Sequence, residues 1–220
     1  MSILFVLLTF LVILGITYVR RNQAPQPAVQ LPQFDRIAGP EVTQIAGVEV
    51  PQKFAFHPGH MWAHDEGHQN ARVGIDAFAA NLFGQIDSME VAELNRWVRQ
   101  GQRLCTVRQG GQSVDLLSPV EGVVVSLNHE VLKNPNLAVE DPYRDGWVCV
   151  VKAPELSTNT RNLLHSSVIP AWIQNETALL AGMVQQLNPA LAQDGGLPIK
   201  GLFFRLDPSI RQKVAKEFFR

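Results

Sequence analysis

Short apolar runs rich in β-branched residues, each bounded by turn-forming residues, constrain the fold of this chain most strongly. Such runs are typical of strands in a sandwich or barrel, since branched side chains fit a pleated, half-buried surface. The dipeptide Gly110-Gly111 predicts a tight hairpin tip, because both central residues of such a turn need a permissive backbone. The clearest runs are Leu104–Val107, Gly122–Leu127 and Trp147–Val151.

Three other segments have helical rather than strand character. Asp76–Phe83 lacks strict alternation and is short enough for one packed helix between strands. Pro170–Leu187 has a proline suited to a first helical turn, and Asp207-Pro208 opens a last amphipathic segment. The predicted fold class is therefore mainly β with flanking helices. The apolar positions of the two longer segments are Trp172, Leu179, Leu180, Met183, Val184 and Leu187, then Ile210, Val214 and Phe218.

Residues 2–19 form an uncharged run dominated by Leu, Ile, Val and Phe. At about 1.5 Å per residue, a helix of this length crosses most of a hydrocarbon core. We predict one N-terminal transmembrane helix within residues 1–21, a single-pass or signal anchor. A cleaved signal peptide is the alternative, but the basic start and small-residue cleavage site are missing. Arg20-Arg21 follow the run, which favours an N-terminus outside and a cytoplasmic main domain at the cell (inner) membrane.

The rest of the chain divides by composition. Residues 22–50 are a Pro/Gln-rich linker and lead-in, 51–187 form the main domain with its C-terminal helix, and 188–220 are a C-terminal extension ending in the amphipathic segment. That last segment either packs on its own domain or lies on a membrane or partner surface. A net charge of −1 gives no electrostatic footprint for nucleic acid, so we exclude that class of partner.

Four sequence blocks, in one order and spacing, resemble the H protein of the glycine cleavage system. The resemblance extends from about Pro51 to Leu180 and implies a lipoyl-type β-sandwich, also called a hybrid barrel-sandwich. The blocks are Phe56–Trp62, Val73–Ile86, Leu117–Val124 and Asn128–Trp147. A turn glycine of the family is replaced here by Asn95, the kind of residue that tolerates positive φ.

The resemblance implies a lysine at the hairpin tip that carries a lipoyl group, yet residues 54–132 contain no lysine. Counting back from Ser118-Pro119 places Gly111 at that position. Arg108 is no substitute, because a guanidinium stays protonated and is a poor nucleophile. We therefore predict no cofactor, no catalytic residue and no enzyme activity, and we take Arg108, Gln109, Gly110 and Gly111 as interaction candidates, together with Ile210, Val214 and Phe218.

Four of the six histidines, from His57 to His68, suggest a metal site, because imidazole is a common metal ligand. Their strand spacing opposes convergence on one ion, so His64 and His68 are weak candidates only. The resemblance gives His60 a structural role beside Trp62. Asp141-Pro142-Tyr143 is interpreted as a turn. Cys105 and Cys149 are predicted to be small buried hydrophobes in a reducing compartment.

The leading functional hypothesis is a membrane-anchored, non-lipoylated pseudo-carrier that acts as a binding or structural subunit, a scaffold, of a membrane protein complex. Its predicted partners are membrane protein subunits and, through residues 2–19, the lipid bilayer. Two alternatives stay open. One is a lipoyl-type carrier of glycine or one-carbon metabolism that uses another attachment point, such as Lys133; the other is a metal-binding module built on the His57 to His68 cluster.

Overall fold

The computed structural model describes residues 40–165, 167–187 and 200–220, together with Ile13. The chain divides into two compact units, Met1–Gln33 and Phe34–Arg220, and the second contains all the described residues except Ile13. Apart from Ile13, the predicted anchor lies outside the described residues, as does the first part of the predicted linker. Over the described residues, no helix combines the length and hydrophobicity needed to cross a bilayer.

The described part of the second unit is mainly β, as the sequence predicts, and all its strand pairings are antiparallel. One sheet has the order β3-β4-β5-β11-β10-β7, a second has β6-β8-β9, and β1 pairs with β2 alone. The strands are β1 Val42–Ile45, β2 Val48–Pro51, β3 Ala55–Phe56, β4 Met61–Gly67, β5 Asn70–Ile75, β6 Ser88–Val91, β7 Trp97–Val98, β8 Arg103–Gln109, β9 Gln112–Leu117, β10 Gly122–Leu127 and β11 Trp147–Lys152.

Helices flank these sheets, and the three predicted helical segments are confirmed. The first begins after Asp76, whose side chain accepts a hydrogen bond from the amide of Ala79 and caps the helix. The helices are α1 Ala77–Phe83, α2 His129–Lys133, α3 Leu137–Glu140, α4 Leu156–Arg161, α5 Ile169–Leu187, α6 Leu202–Arg205 and α7 Pro208–Phe218.

Turn geometry also follows the sequence. Gln109 pairs with Gln112 across the β8–β9 hairpin, so Gly110 and Gly111 form a two-residue loop with φ of 56° and 75°. Two successive positive φ values are the signature of the tight turn that Gly-Gly predicts. Asn95 has φ of 65°, the positive φ expected of a residue that stands in place of a turn glycine.

A buried tryptophan organises one end of the sandwich. Trp62 is fully buried against Gly74, where an added Cβ would lie 2.5 Å from its ring. Its indole N–H donates to the carbonyls of Ile75 and Pro142 at 2.9 and 3.1 Å. Tyr143 donates to the carbonyl of Glu49 and accepts from the amide of Ala77. The segment around Pro142 and Tyr143 is therefore a structural turn, as interpreted from the sequence.

Two elements differ from the expectations. The lead-in, predicted to end at residue 50, contains strand β1 and most of β2, with Val48 and Val50 in the core and Glu49 exposed. That alternation is a strand signal, but it spans only three residues. On α5, Leu179 is 42% exposed whereas Leu180 is buried, because the inward stripe of the helix follows Ile173, Thr177, Leu180 and Val184.

The C-terminal extension joins the main core instead of presenting its apolar stripe to a partner. Val214 and Phe218 of α7 are fully buried and Ile210 is half-buried, within the same hydrophobic cluster as the strands. Val214 and Phe218 are therefore not exposed for a partner, which corrects their choice as interaction candidates, whereas Ile210 stays a prediction. The self-packing alternative is the observed one, because the aromatic residues of α1 offer this stripe a complementary apolar face.

Candidate functional site

The β8–β9 hairpin tip is open to solvent and has a hydrogen bond on one side. In the resembled family this tip carries the lysine to which the lipoyl group is attached. The amide of Gly110 donates to Asp87 Oδ2 at 2.7 Å. Arg108 pairs with Glu90 across the strands at 3.1 Å, with both side chains more than half exposed. A Cβ added at Gly110 or Gly111 would meet no atom within 4 Å. The tip has room for a side chain, yet it supplies no amine, so its residues do not fit an amide-linked lipoyl group.

A cleft of about 630 Å³ lies beside this tip. The end of α1 and the hairpin form part of its wall, and the C-terminal extension forms the rest. The amide of Gly201 donates to the carbonyl of Asn81 at 2.9 Å, which fixes the extension against α1. A Cβ added at Gly84 would collide with the backbone of Gly201, so Gly84 has no room for a side chain on this side, whereas a Cβ at Gly201 would make only ordinary contacts. Charged and amide side chains line much of the cleft, among them Gln85, Gln109, Gln112, Glu140, Lys200 and Arg205.

The second notable site is a buried charge network around His60. Its Nδ1 lies 2.8 Å from Asp76 Oδ2, and both side chains are almost fully buried. Its Nε2 faces Glu176 of α5, with Oε2 at 3.9 Å. The ring is stacked between Phe78 and Trp172, at centroid distances of 4.3 and 5.0 Å. The sequence therefore placed His60 correctly in the framework but missed its partners.

Electrostatics keep this imidazole protonated. Burial alone lowers the pKa of His60, but the charge of Asp76, its hydrogen bond and the contribution of Glu176 outweigh burial and raise the pKa to about 9. Nearby His57 responds in the opposite direction, because burial and the charge on His60 both lower its pKa. With a pKa of about 9, His60 is an imidazolium at neutral pH and faces the carboxyl groups of Asp76 and Glu176.

The histidines do not converge as a metal site. His64 stacks on Phe54 with ring centroids 4.6 Å apart, and His68 lies in the β4–β5 turn with φ of 53°. His57 Nδ1 accepts a hydrogen bond from the amide of Gly59. Over the part of the chain that the structure describes, no three His, Cys, Asp or Glu side chains are placed to share one ion.

The two cysteines are buried and not bonded to each other. Burial, with a smaller effect of Asp115, raises the pKa of Cys105 to about 12, and burial, with a smaller effect of Cys105, raises the pKa of Cys149 well above its ordinary value. A thiol held in its neutral form is a poor nucleophile. Both residues thus behave as the small hydrophobes that the sequence predicts.

The structure brings together only some of the residues singled out from the sequence. Arg108, Gln109, Gly110 and Gly111 share the hairpin end, and two of them line the cleft. The side chains that sequence reasoning missed are Glu176, Lys200 and Arg205, which come from helices or loops remote in sequence. Only Asp76 carried a local signal, as a capping residue directly before α1.

An antiparallel β-sandwich with a two-residue hairpin tip and flanking helices defines a lipoyl-type domain, here without an acceptor lysine. A family model described as glycine cleavage H-protein matches residues 54–176. The chain belongs to this family. It is 32% identical over 102 residues to a glycine cleavage system H protein of Aliivibrio fischeri, covering 46% of this chain and 81% of that protein.

Two further comparisons cover most of their counterparts. A glycine cleavage system H protein of Magnetococcus marinus is 28% identical over 138 residues, which cover 63% of this chain and 97% of that protein. A crystal structure of a glycine cleavage system H protein from Mycobacterium marinum aligns with a TM-score of 0.49 and 22% identity, over 57% of this chain and 98% of that chain. The family match ends at residue 176, so the described segment 200–220 lies beyond it.

Proposed function

We propose that this chain is a membrane-anchored, non-lipoylated member of the H-protein family that serves as a binding or structural subunit of a membrane protein complex. The observation that carries the proposal is the open hairpin tip, where Gly110 and Gly111 stand without a lysine on a hairpin whose backbone geometry is intact. A hairpin kept without its acceptor is suited to binding rather than to carrying a group.

The apolar run of residues 2–19 supports the membrane part of the proposal, since it matches the length of a spanning helix and is followed by two arginines. In this arrangement the N-terminus is outside and the main domain is cytoplasmic at the inner membrane. An anchored domain searches for its partners in two dimensions, which raises its effective concentration at them.

Co-purification from native membranes tests the subunit role. The full chain, tagged after Arg220, is extracted in mild detergent and its associated proteins are quantified by mass spectrometry. We expect membrane subunits in constant stoichiometry with the chain. Recovery of the chain in alkaline-washed membranes tests the anchor separately, and deletion of residues 2–19 is the control. A chain released by alkaline washing and free of stoichiometric partners contradicts the proposal.

A carrier role is the second candidate, and one observation favours it. Lys200 lines the cleft beside the hairpin tip, so the C-terminal extension brings an amine to the neighbourhood of the missing acceptor. Lys133, at the end of α2, is exposed but is paired with Glu130 at 3.5 Å. Intact mass of the chain from cells competent in lipoylation separates the two functions. A lipoyl increment that disappears in Lys200→Met or Lys133→Met supports the carrier, whereas an unmodified mass supports the binding subunit.

A further inference from the structure

The cleft beside the hairpin tip has features that the binding-subunit role does not use. Its volume of about 630 Å³ lies within the range of small-molecule sites, roughly 300 to 1,000 Å³. One side comes from residues inside the family match and the other from Lys200–Arg205, beyond that match. The cleft therefore has its present shape and charge only because the extension packs against α1.

Two cations, Lys200 and Arg205, line this cleft. Neither Lys200 nor Arg205 forms an ion pair with another described residue. Some other surface cations of this chain do form ion pairs, as Arg220 does with Glu217 at 3.3 Å. Arginine and lysine together favour a ligand with a planar anionic group such as a carboxylate.

Two acceptors on the cleft wall favour a ligand that also carries a hydrogen-bond donor. Gln109 Oε1 is shielded from solvent and has no hydrogen-bond partner within the described residues. A shielded acceptor without a donor costs free energy, so a ligand that supplies an N–H or O–H is favoured. Glu140 adds a carboxylate to the same lining, which disfavours a multiply charged anion such as phosphate.

We propose that this cleft binds a small carboxylate that also carries an amino or hydroxyl donor, with its carboxylate at Lys200 and Arg205 and its donor at Gln109. The inference goes beyond the proposed function and does not depend on it, because the lining belongs to the folded unit Phe34–Arg220 whether or not that unit joins a membrane complex.

A matched three-carbon series tests the proposal. Propionate supplies only the anion, lactate adds a hydroxyl, and alanine adds an ammonium group. Binding to the full chain in detergent is measured by saturation-transfer NMR, using protein made in a strain without lipoyl-attachment enzymes so that Lys200 keeps its charge. With about six heavy atoms per probe, we expect millimolar affinities. Alanine should bind about tenfold more tightly than propionate, with lactate between them, because of the added hydrogen bond.

Three variants assign the binding to the named side chains. Lys200→Met and Arg205→Met should each weaken all three probes by about tenfold, since both remove a charge. Gln109→Met should remove the advantage of alanine and lactate over propionate while leaving propionate unchanged. Lys213→Met, an exposed lysine of α7 outside the cleft, is the matched control and should bind like the parent.

Three results would contradict the proposal. Equal binding of the three probes, no measurable binding of any of them, or equal losses in Lys200→Met and Lys213→Met would each overturn the assignment. The co-purification experiment above does not use these probes, so the failure of one proposal is distinguishable from the failure of the other.

Discussion

The hairpin tip and the His60 end of the sandwich have opposite relationships to the fold. At the tip, Gly111 has open space around it and Arg108 is about half exposed. At the other site, His60 is fully buried, paired with Asp76 and covered by aromatic rings from α1, α5 and α7. The difference shows why the residue at the tip can change without loss of the fold, since the tip contributes little to packing.

The C-terminal extension adds further packing at the buried His60 end of the sandwich. Phe218 packs on Phe78 with ring centroids 5.4 Å apart, and Phe219 stacks on Phe83 at 5.1 Å. These contacts couple a segment beyond the family match to α1, which carries both the Asp76 cap and one wall of the cleft. The extension therefore stabilises the buried end and completes the cleft next to the open tip.

The largest expected effect is at Phe218, which tests whether the extension is part of the core. Phe218→Ala should lower the free energy of unfolding by about 4 kcal/mol, because it removes a fully buried aromatic ring and leaves a cavity. Urea denaturation followed by tryptophan fluorescence measures the change. Lys216→Ala, on the exposed side of the same helix, is the control and should change stability little. A loss below about 1 kcal/mol would mean that the extension is not part of the cooperative core.

The next effect concerns the charge on His60. Its pKa of about 9 in the folded protein exceeds the ordinary value of 6.5, so the folded state binds the proton more tightly. The contribution of this proton to the free energy of unfolding is therefore fully present below pH 6.5. It is lost as the pH rises to about 9, and its size is about 3 kcal/mol at most. Asp76→Asn keeps an N-cap residue but removes the carboxylate, so it should destabilise the protein at pH 7 and flatten this slope. A slope that is unchanged in Asp76→Asn would rule out the ion pair as its cause.

Two glycines with similar positive φ angles provide a direct comparison of the regions. Gly84 has φ of 72° and is packed against the backbone of Gly201, whereas Gly111 has φ of 75° and open surroundings. Gly111→Ala should cost about 1 kcal/mol for the left-handed backbone alone. Gly84→Ala should cost roughly 2 kcal/mol more, because the added Cβ must push the extension away from α1. Equal costs in thermal unfolding would show that the close approach is not maintained in solution.

The smallest effect is expected at Arg108. Its ion pair with Glu90 is exposed on both sides, so Arg108→Ala should change the free energy of unfolding by less than about 0.5 kcal/mol. The same denaturation assay checks this value. If the binding-subunit role uses this end of the hairpin, Arg108→Ala should nevertheless lower co-purification of the membrane partners, with Arg161→Ala as an exposed control on α4. A large loss of stability would instead show that the tip supports the fold.

Local rules explain the parts of the fold that the sequence predicted. Gly110-Gly111 specifies a two-residue turn and Asn95 can replace a turn glycine; each depends on residues close in sequence. The hydrophobic periodicity likewise located α5, but it did not show which of the apolar residues of this helix face the core. Leu179 and Leu180 are equally apolar, and only contact with the sheets and α7 decided which of them is buried.

The sequence alone determined the β-rich fold, the turn geometry and the absence of an acceptor lysine at Gly111, because these follow from residue identity and short-range periodicity. Only the tertiary structure decided that His60 is a buried cation, that Val214 and Phe218 belong to the core, and that Lys200 and Arg205 line a cleft beside the hairpin tip. The physical reason is that burial and charge environment depend on neighbours that are remote in sequence, as with His60 and Glu176. Local sequence patterns carry no record of such pairings.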